Sequence, residues 1–148
     1  MPEMTNRSID ATTECIEVDH VDGHYRLVAT KGFDVEDHIL TLEGEIVGSP
    51  SRFSVQMGPD QHLEVPAMAQ AEQPLDRYRW RFLNHSCEPN AKFDSRNLIA
   101  IRKISVSEQI TFDYNTTEYD LASPFECHCE STNCCGVVRG YRWQGKLD

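Results

Sequence analysis

The string "RFLNHSCEPNAKFD" (residues 81–94) sets Asn84, His85, Ser86 and Cys87 side by side and then breaks the run with Pro89. Proline has no backbone donor and a fixed φ, so a regular element rarely continues through it. Four side chains that can bind, donate or ligate therefore stop at a break in the chain. A second dense stretch lies further on. "CHCESTNCC" (residues 127–135) holds Cys127, Cys129, Cys134 and Cys135, four of the six cysteines. In a secreted chain such crowding suggests disulfides, and in an intracellular one it favours metal.

Composition points to the second setting. The chain has 148 residues, 39% apolar and 26% charged, which suits one globular domain. No run of about 18 apolar residues appears, so no membrane span is expected. The start, "MPEMTNRSIDATTE", lacks a basic-then-apolar signal pattern. The expected place of work is intracellular, in cytoplasm or nucleus. Sequons at Asn6, Asn84 and Asn115 would matter only in a secreted chain. The net charge is -10 and no basic stripe is present, which argues against direct nucleic-acid binding. Such a surface attracts basic partners, or it serves solubility alone.

The pattern is of short strands with tight turns. In "ECIEVDHVDGHYRLVAT" (residues 14–30), two strands flank the turn dipeptide Asp22-Gly23, and Tyr25, Leu27 and Ala29 share an alternate face. "HILTLEGEIVG" (residues 38–48) gives two short extended runs about Gly44. "RFSVQM" and "HLEV" flank the turn "GPDQ". One helical turn is expected between Pro66 and Pro74, and "LIAIRKI" (residues 98–104) is rich in β formers. "QITFDY" (residues 109–114) places Ile110, Phe112 and Tyr114 on one face. The expected class is mainly β, with residues 1–11 loose, a domain over 12–123 and a Cys-rich tail over 124–148. That tail has few apolar residues and needs a staple to be ordered.

Cys127, Cys129 and Cys134 are spaced C-x-C-x4-C, so three thiols can face one ion. A structural zinc site wants four soft ligands in a tetrahedron. His128, Cys135 and Cys87 are the candidates for the fourth. Cys135 directly follows Cys134, and neighbours rarely reach one ion without strain. Cys15 sits in an alternating strand and reads as a small core residue. The plain alternative is a set of free thiols or a redox pair.

Taken in order, "RFLNHSCEPN", "SEQITFDY" and "CHCESTNCCG" resemble the SET-domain protein lysine methyltransferases with a post-SET tail. The resemblance is strong over residues 79–138 and weaker over 14–65. It is similar to the small stand-alone members without a pre-SET zinc module. It implies a SET fold of short strands and small sheets in which residues 84–90 and 110–114 cross as a pseudoknot, with Asn84 beside Tyr114 and Pro89 and Asn90 helping to set the turn. It implies that Cys87 is the fourth ligand, joining Cys127, Cys129 and Cys134 on Zn2+. Asn84 and His85 match residues that hold S-adenosylmethionine. Tyr114 matches the catalytic tyrosine and also borders the cofactor. Phe112 matches a position where Phe leaves room for di- or trimethylation, and Tyr119 or Phe125 would wall the lysine channel. Periodicity alone would make Phe112 and Tyr114 core residues.

The implied activity is transfer of a methyl group from S-adenosylmethionine to a lysine amine. The substrate would be a basic protein segment, such as a histone tail or a ribosomal protein, bound in the groove as an added strand. Free lysine has a pKa of about 10.4 and must be held neutral to react. A nearby cation and a dry aromatic channel both favour that form. The family's Gly-x-Gly turn is missing: His24 and Arg26 occupy the glycine places, with Gly23 one residue early. Either Gly23 would serve after a small loop shift, or the altered pocket would weaken S-adenosylmethionine binding. Arg26 could also pair with the cofactor carboxylate, a bidentate match. Leu42 stands where the family has an aromatic, and Ser107 replaces its usual Gly before Glu108. The alternatives are a zinc-stapled SET-like binding module that has lost transfer, and a thiol redox or metal-sensing protein.

Overall fold

The computed structural model describes residues 15–51, 54–66 and 75–143. Twelve short strands carry the described chain, with 3-10 turns and no α-helix among the described residues. The first hairpin pairs β1 (Ile16–Val21) with β2 (His24–Ala29), Ile16 opposite Ala29 and Val21 opposite His24. Asp22 and Gly23 both take positive φ, 51° and 80°, the geometry that lets a two-residue turn follow the strand twist. Leu27 and Ala29 are buried as their alternation predicts, whereas Tyr25 stays half exposed.

A three-stranded antiparallel sheet orders β3 (His38–Thr41), β9 (Asn97–Ala100) and β8 (Ala91–Asp94) with β9 central. A second sheet orders β4 (Glu45–Val47), β6 (Gln61–Glu64) and β5 (Val55–Gly58) with β6 central. Gly44 joins β3 to β4 where the chain passes Glu64. Any Cβ there would collide with the Glu64 carbonyl oxygen. The helical turn expected between Pro66 and Pro74 lies outside the described residues, as do residues 1–11. Beyond Pro74 the chain forms two 3-10 turns over Leu75–Phe82, broken at Tyr78.

Residues 104–112 tie these sheets together. Ile104 bridges Phe33, the Ile110 amide donates to Leu27 O of β2 at 2.8 Å, and the Ala29 amide of β2 donates back to Glu108 O at 3.0 Å. Ser107 adopts φ 74° to make this approach, the left-handed conformation that explains a Gly preference at its place. The chain then enters β10 (Thr111–Phe112), which runs parallel to β7 (Asn84–His85). Both strands are only two residues long, because each leaves the pairing at once: β7 toward Pro89, β10 into a 3-10 turn at Tyr114–Thr116. Parallel pairing of Asn84 with Thr111 and of His85 with Phe112 needs a long excursion between them, here the β8–β9 hairpin.

Asn90 fastens the crossing. It is 1% exposed; its amide donates to Gln109 O at 2.8 Å, and its Oδ1 accepts from Thr111 N at 2.9 Å. Replacing Asn90 with alanine strands two buried backbone groups. We expect a stability loss of about 2–4 kcal/mol in urea unfolding; an unchanged midpoint would remove Asn90 as the fastening. One apolar cluster lies beneath, including Ile16, Leu27, Ile39, Leu63, Leu98 and Ile110. Cys15 is buried in the same cluster. The tail closes with a further two-stranded antiparallel pair, β11 (Phe125–Glu126) on β12 (Val137–Val138).

Candidate functional site

The parallel pair β7–β10 opens into a cleft of about 1090 Å³. The first hairpin supplies Gly23, His24 and Tyr25 to its wall, the crossing supplies Asn84, His85, Phe112 and Tyr114, and the tail supplies Phe125 and Cys127. Three parts of the sequence that are far apart thus share one cavity.

Asn84 is held before any ligand arrives. Its amide donates to Tyr25 O at 3.0 Å and to Gln109 Oε1 at 2.9 Å. His85 is held as firmly. Its Nδ1 accepts the Tyr114 amide at 3.0 Å, which places the ring proton of the neutral form on Nε2, 3.3 Å from the Cys87 sulfur. Burial pushes the His85 pKa down, and the nearby Asp113 carboxylate pulls the other way. The Tyr114 hydroxyl donates to Leu83 O at 2.6 Å. Its ring centroid lies 4.9 Å from that of Phe112, 5.3 Å from His85 and 5.8 Å from Phe125. This aromatic wall restrains Tyr114 by packing while one hydrogen bond sets its hydroxyl.

The fold brings Cys87 to the three tail thiols. The sulfurs of Cys87, Cys127, Cys129 and Cys134 all lie within 4.8 Å of one another. A tetrahedral zinc with bonds of about 2.3 Å needs sulfurs about 3.8 Å apart, and Cys87 and Cys127 are at 3.9 Å. Four soft donors at this spacing can hold a metal ion. Burial pushes the Cys87 and Cys127 thiols up, the latter to about 11, whereas the Ser131 hydroxyl draws Cys129 down to about 6. Ligation would release these protons. His128 is exposed and faces Glu126 at 3.6 Å, outside the quartet. Cys135 is also outside it, and meets Cys87 and His85 instead.

Two other expected residues stand apart from the cleft wall. Arg26 is bound to Asp19 across the first hairpin, with Nη2 to Oδ2 at 2.8 Å, because β2 continues as a paired strand where a Gly-x-Gly turn would loosen it. It is not among the cleft-lining residues. Tyr119 packs on Tyr141, ring centroids 5.1 Å apart, and under the Arg142 guanidinium, also away from the lining. Phe125 takes the aromatic place in the wall. Tyr25 adds a column of rings that the sequence reading did not assign: His20 stacks on it at 4.3 Å and Phe82 lies 4.9 Å away.

Glu118 was also missed. It is buried at the cleft, where it accepts from Gln56 N at 2.7 Å and from the Thr117 hydroxyl at 3.0 Å. Burial raises its pKa, and these two donors oppose the shift. A lone Glu in "NTTEYD" gives no periodic or motif signal.

A β-built domain with a tied crossing, a cleft beside it and a thiol quartet on the cleft rim defines a narrow class. The SET domain family model matches residues 5–115, about three quarters of the chain, and the chain belongs to that family. It is 34% identical over 91 residues to the methyltransferase flvH of Aspergillus flavus, covering 59% of this chain and 45% of that one. It is 43% identical over 68 residues to the H3 lysine-36 specific histone-lysine N-methyltransferase of Saccharomyces cerevisiae, covering 40% of this chain and 9% of that one. The chain thus spans less than half the length of these curated relatives. Crystal structures of KRYPTONITE share the fold. One, with mCHG DNA and SAH, superposes at TM-score 0.62 with 18% identity over 83% of this chain and 28% of that one. Another, with mCHH DNA, an H3(1-15) peptide and SAH, gives 0.60 with 19% identity over 83% and 29%.

Proposed function

We propose that this domain is a protein-lysine N-methyltransferase using S-adenosylmethionine, with residues 12–123 as its SET domain and 124–148 as a zinc-stapled post-SET tail. The observation that carries the reading is Tyr114. Its ring stands in the cleft wall, its hydroxyl is oriented by Leu83 O, and Asn84, His85 and two thiols of the quartet, Cys127 and Cys129, line the same cavity. When bound, S-adenosylmethionine supplies an electrophilic methyl group on a sulfonium for a lysine amine to accept.

The chain's own residues divide the remaining work. Asn84, His85 and the turn at Gly23 hold the cofactor, and the fixed amide of Asn84 lowers the ordering cost of doing so. Cys87, Cys127, Cys129 and Cys134 hold zinc and keep Phe125 in the wall. Phe112, Tyr114 and Phe125 make a dry channel that favours the neutral amine over the ammonium. Tyr114 orients that amine, a positioning effect worth several kcal/mol, up to about 7–11 in ideal cases. Arg26 is left out of the cofactor set because Asp19 engages it.

The substrate is a lysine in a basic segment of histone type, and the site of action is nucleus or cytoplasm. The net charge of -10 supports a basic protein segment over nucleic acid as partner. The naming of relatives as histone-lysine methyltransferases and the histone peptide in a structural neighbour support the same class.

Calorimetric titration of S-adenosylmethionine into zinc-replete protein tests the reading. Micromolar affinity, about -8 kcal/mol, is expected. No binding at millimolar cofactor overturns it in favour of a SET-like binding module. Phe112 sets the product. It is 4% exposed and its ring packs 4.9 Å from that of Tyr114, so an added hydroxyl has little room beside the reacting amine. Phe112→Tyr is expected to cut di- and trimethyl product about tenfold or more while sparing monomethylation, read by mass spectrometry. An unchanged product mixture would count against the size argument.

A further inference from the structure

Cys135 is the tail cysteine that the quartet does not use, and its position next to Cys134 does not send it away from the site. Its sulfur lies 3.6 Å from Cys87 Sγ, nearer than the 3.9 Å between Cys87 and Cys127. Its backbone amide also donates to Cys87 Sγ, at 3.3 Å. Cys135 is exposed, whereas Cys87 is half-buried behind it. The Asn115 amide at 3.9 Å and the Val137 carbonyl at 3.4 Å flank the Cys135 sulfur and keep it on this side of the tail.

From this geometry we infer that Cys135 is an oxidation site that captures Cys87 as a disulfide and so removes one ligand from the metal quartet. The inference rests on the reading of the quartet as a zinc staple. The oxidant is a peroxide. It oxidises the exposed Cys135 thiolate to a sulfenic acid and leaves as hydroxide. The Cys87 sulfur then attacks the Cys135 sulfur; the S–S bond forms as the S–O bond breaks, and the oxygen departs as water once protonated. In sum, two thiols give two electrons to one hydrogen peroxide, yielding one disulfide and two waters. The sulfurs need to close from 3.6 Å to a bond of about 2.05 Å, a change within reach of side-chain rotation and a small loop shift. Cys87 is the only ligand contributed by the crossing, and the other three belong to the tail. Its capture therefore unfastens the tail metal site from the β7–β10 crossing, whereas a bridge among Cys127, Cys129 and Cys134 would stay inside the tail.

The test treats zinc-loaded protein with hydrogen peroxide and follows zinc release with a chromogenic chelator, mapping disulfides by mass spectrometry at intervals. The expected first bridge is Cys87–Cys135, appearing with zinc release and reversed by dithiothreitol and added zinc. Cys135→Ser is expected to load zinc normally and to release it roughly tenfold more slowly under the same peroxide. Equal release rates, or a first bridge among the tail ligands, overturn the inference. Protein that binds no zinc at all overturns the staple reading instead, and the disulfide map of that metal-free protein still decides whether Cys87 and Cys135 are the reactive pair.

Discussion

Cys127→Ser is expected to strip zinc from the protein and to take most S-adenosylmethionine affinity with it. A structural zinc in a small thiolate site contributes about 10–16 kcal/mol of apparent binding free energy, far more than the tail can gather from its own contacts. Around the quartet those contacts are sparse: a two-residue pair β11–β12, the Cys127 amide on Gly136 O at 2.8 Å, and the Asn133 amide on Cys87 O at 3.3 Å. Serine is a harder and poorer ligand, and the three thiols left cannot complete a tetrahedron. Cys127 and Phe125 themselves line the cleft, so a loosened tail removes part of the pocket. Affinity should fall at least tenfold, about 1.4 kcal/mol. Metal analysis and calorimetry on the same preparation check both halves. Normal cofactor affinity in zinc-free protein would separate the tail from the pocket and sink the staple.

Tyr114→Phe should leave cofactor affinity nearly intact and reduce turnover on the order of 100-fold or more, the scale seen when one oriented polar group is removed from a reacting centre. The ring remains, and with it the packing against Phe112, His85 and Phe125. What is lost is the hydroxyl that Leu83 O orients. Its absence also leaves Leu83 O without that donor, a stability cost of about 1 kcal/mol. Chemical denaturation therefore has to accompany the kinetics. A turnover loss no larger than the stability effect explains would remove Tyr114 from the chemistry.

Much of this protein could be read along the chain because the signals are local. Hairpin turns announce themselves by Asp22-Gly23, where positive φ is demanded twice. Leu27 and Ala29 are buried as the alternation predicts, though Val28 between them is buried as well. The spacing of Cys127, Cys129 and Cys134 needs only a short loop to turn three thiols inward. Motif order, from "RFLNHSCEPN" to "CHCESTNCCG", was enough to name the family that the domain model then matched over residues 5–115.

Other features depend on contacts that no local pattern encodes. The fourth thiol is one: spacing alone left Cys87, His128 and Cys135 open, the family resemblance pointed to Cys87, and the fold is what brings its sulfur to 3.9 Å from one 40 residues away. The fate of Arg26 is another: its charge suits a carboxylate ligand, but Asp19 lies opposite it in the hairpin register and takes it. Tyr119 and Phe125 looked interchangeable as aromatic walls, and packing against Tyr141 and Arg142 sends only Phe125 to the cleft. Glu118 gains its buried position from Gln56, 62 residues earlier. Periodicity, turn chemistry and ligand spacing are short-range and survive in one dimension. Which charge meets which, and which thiol is left over, follow from how β7 and β10 are brought side by side and how the tail folds back on them, and those are matters of three-dimensional packing.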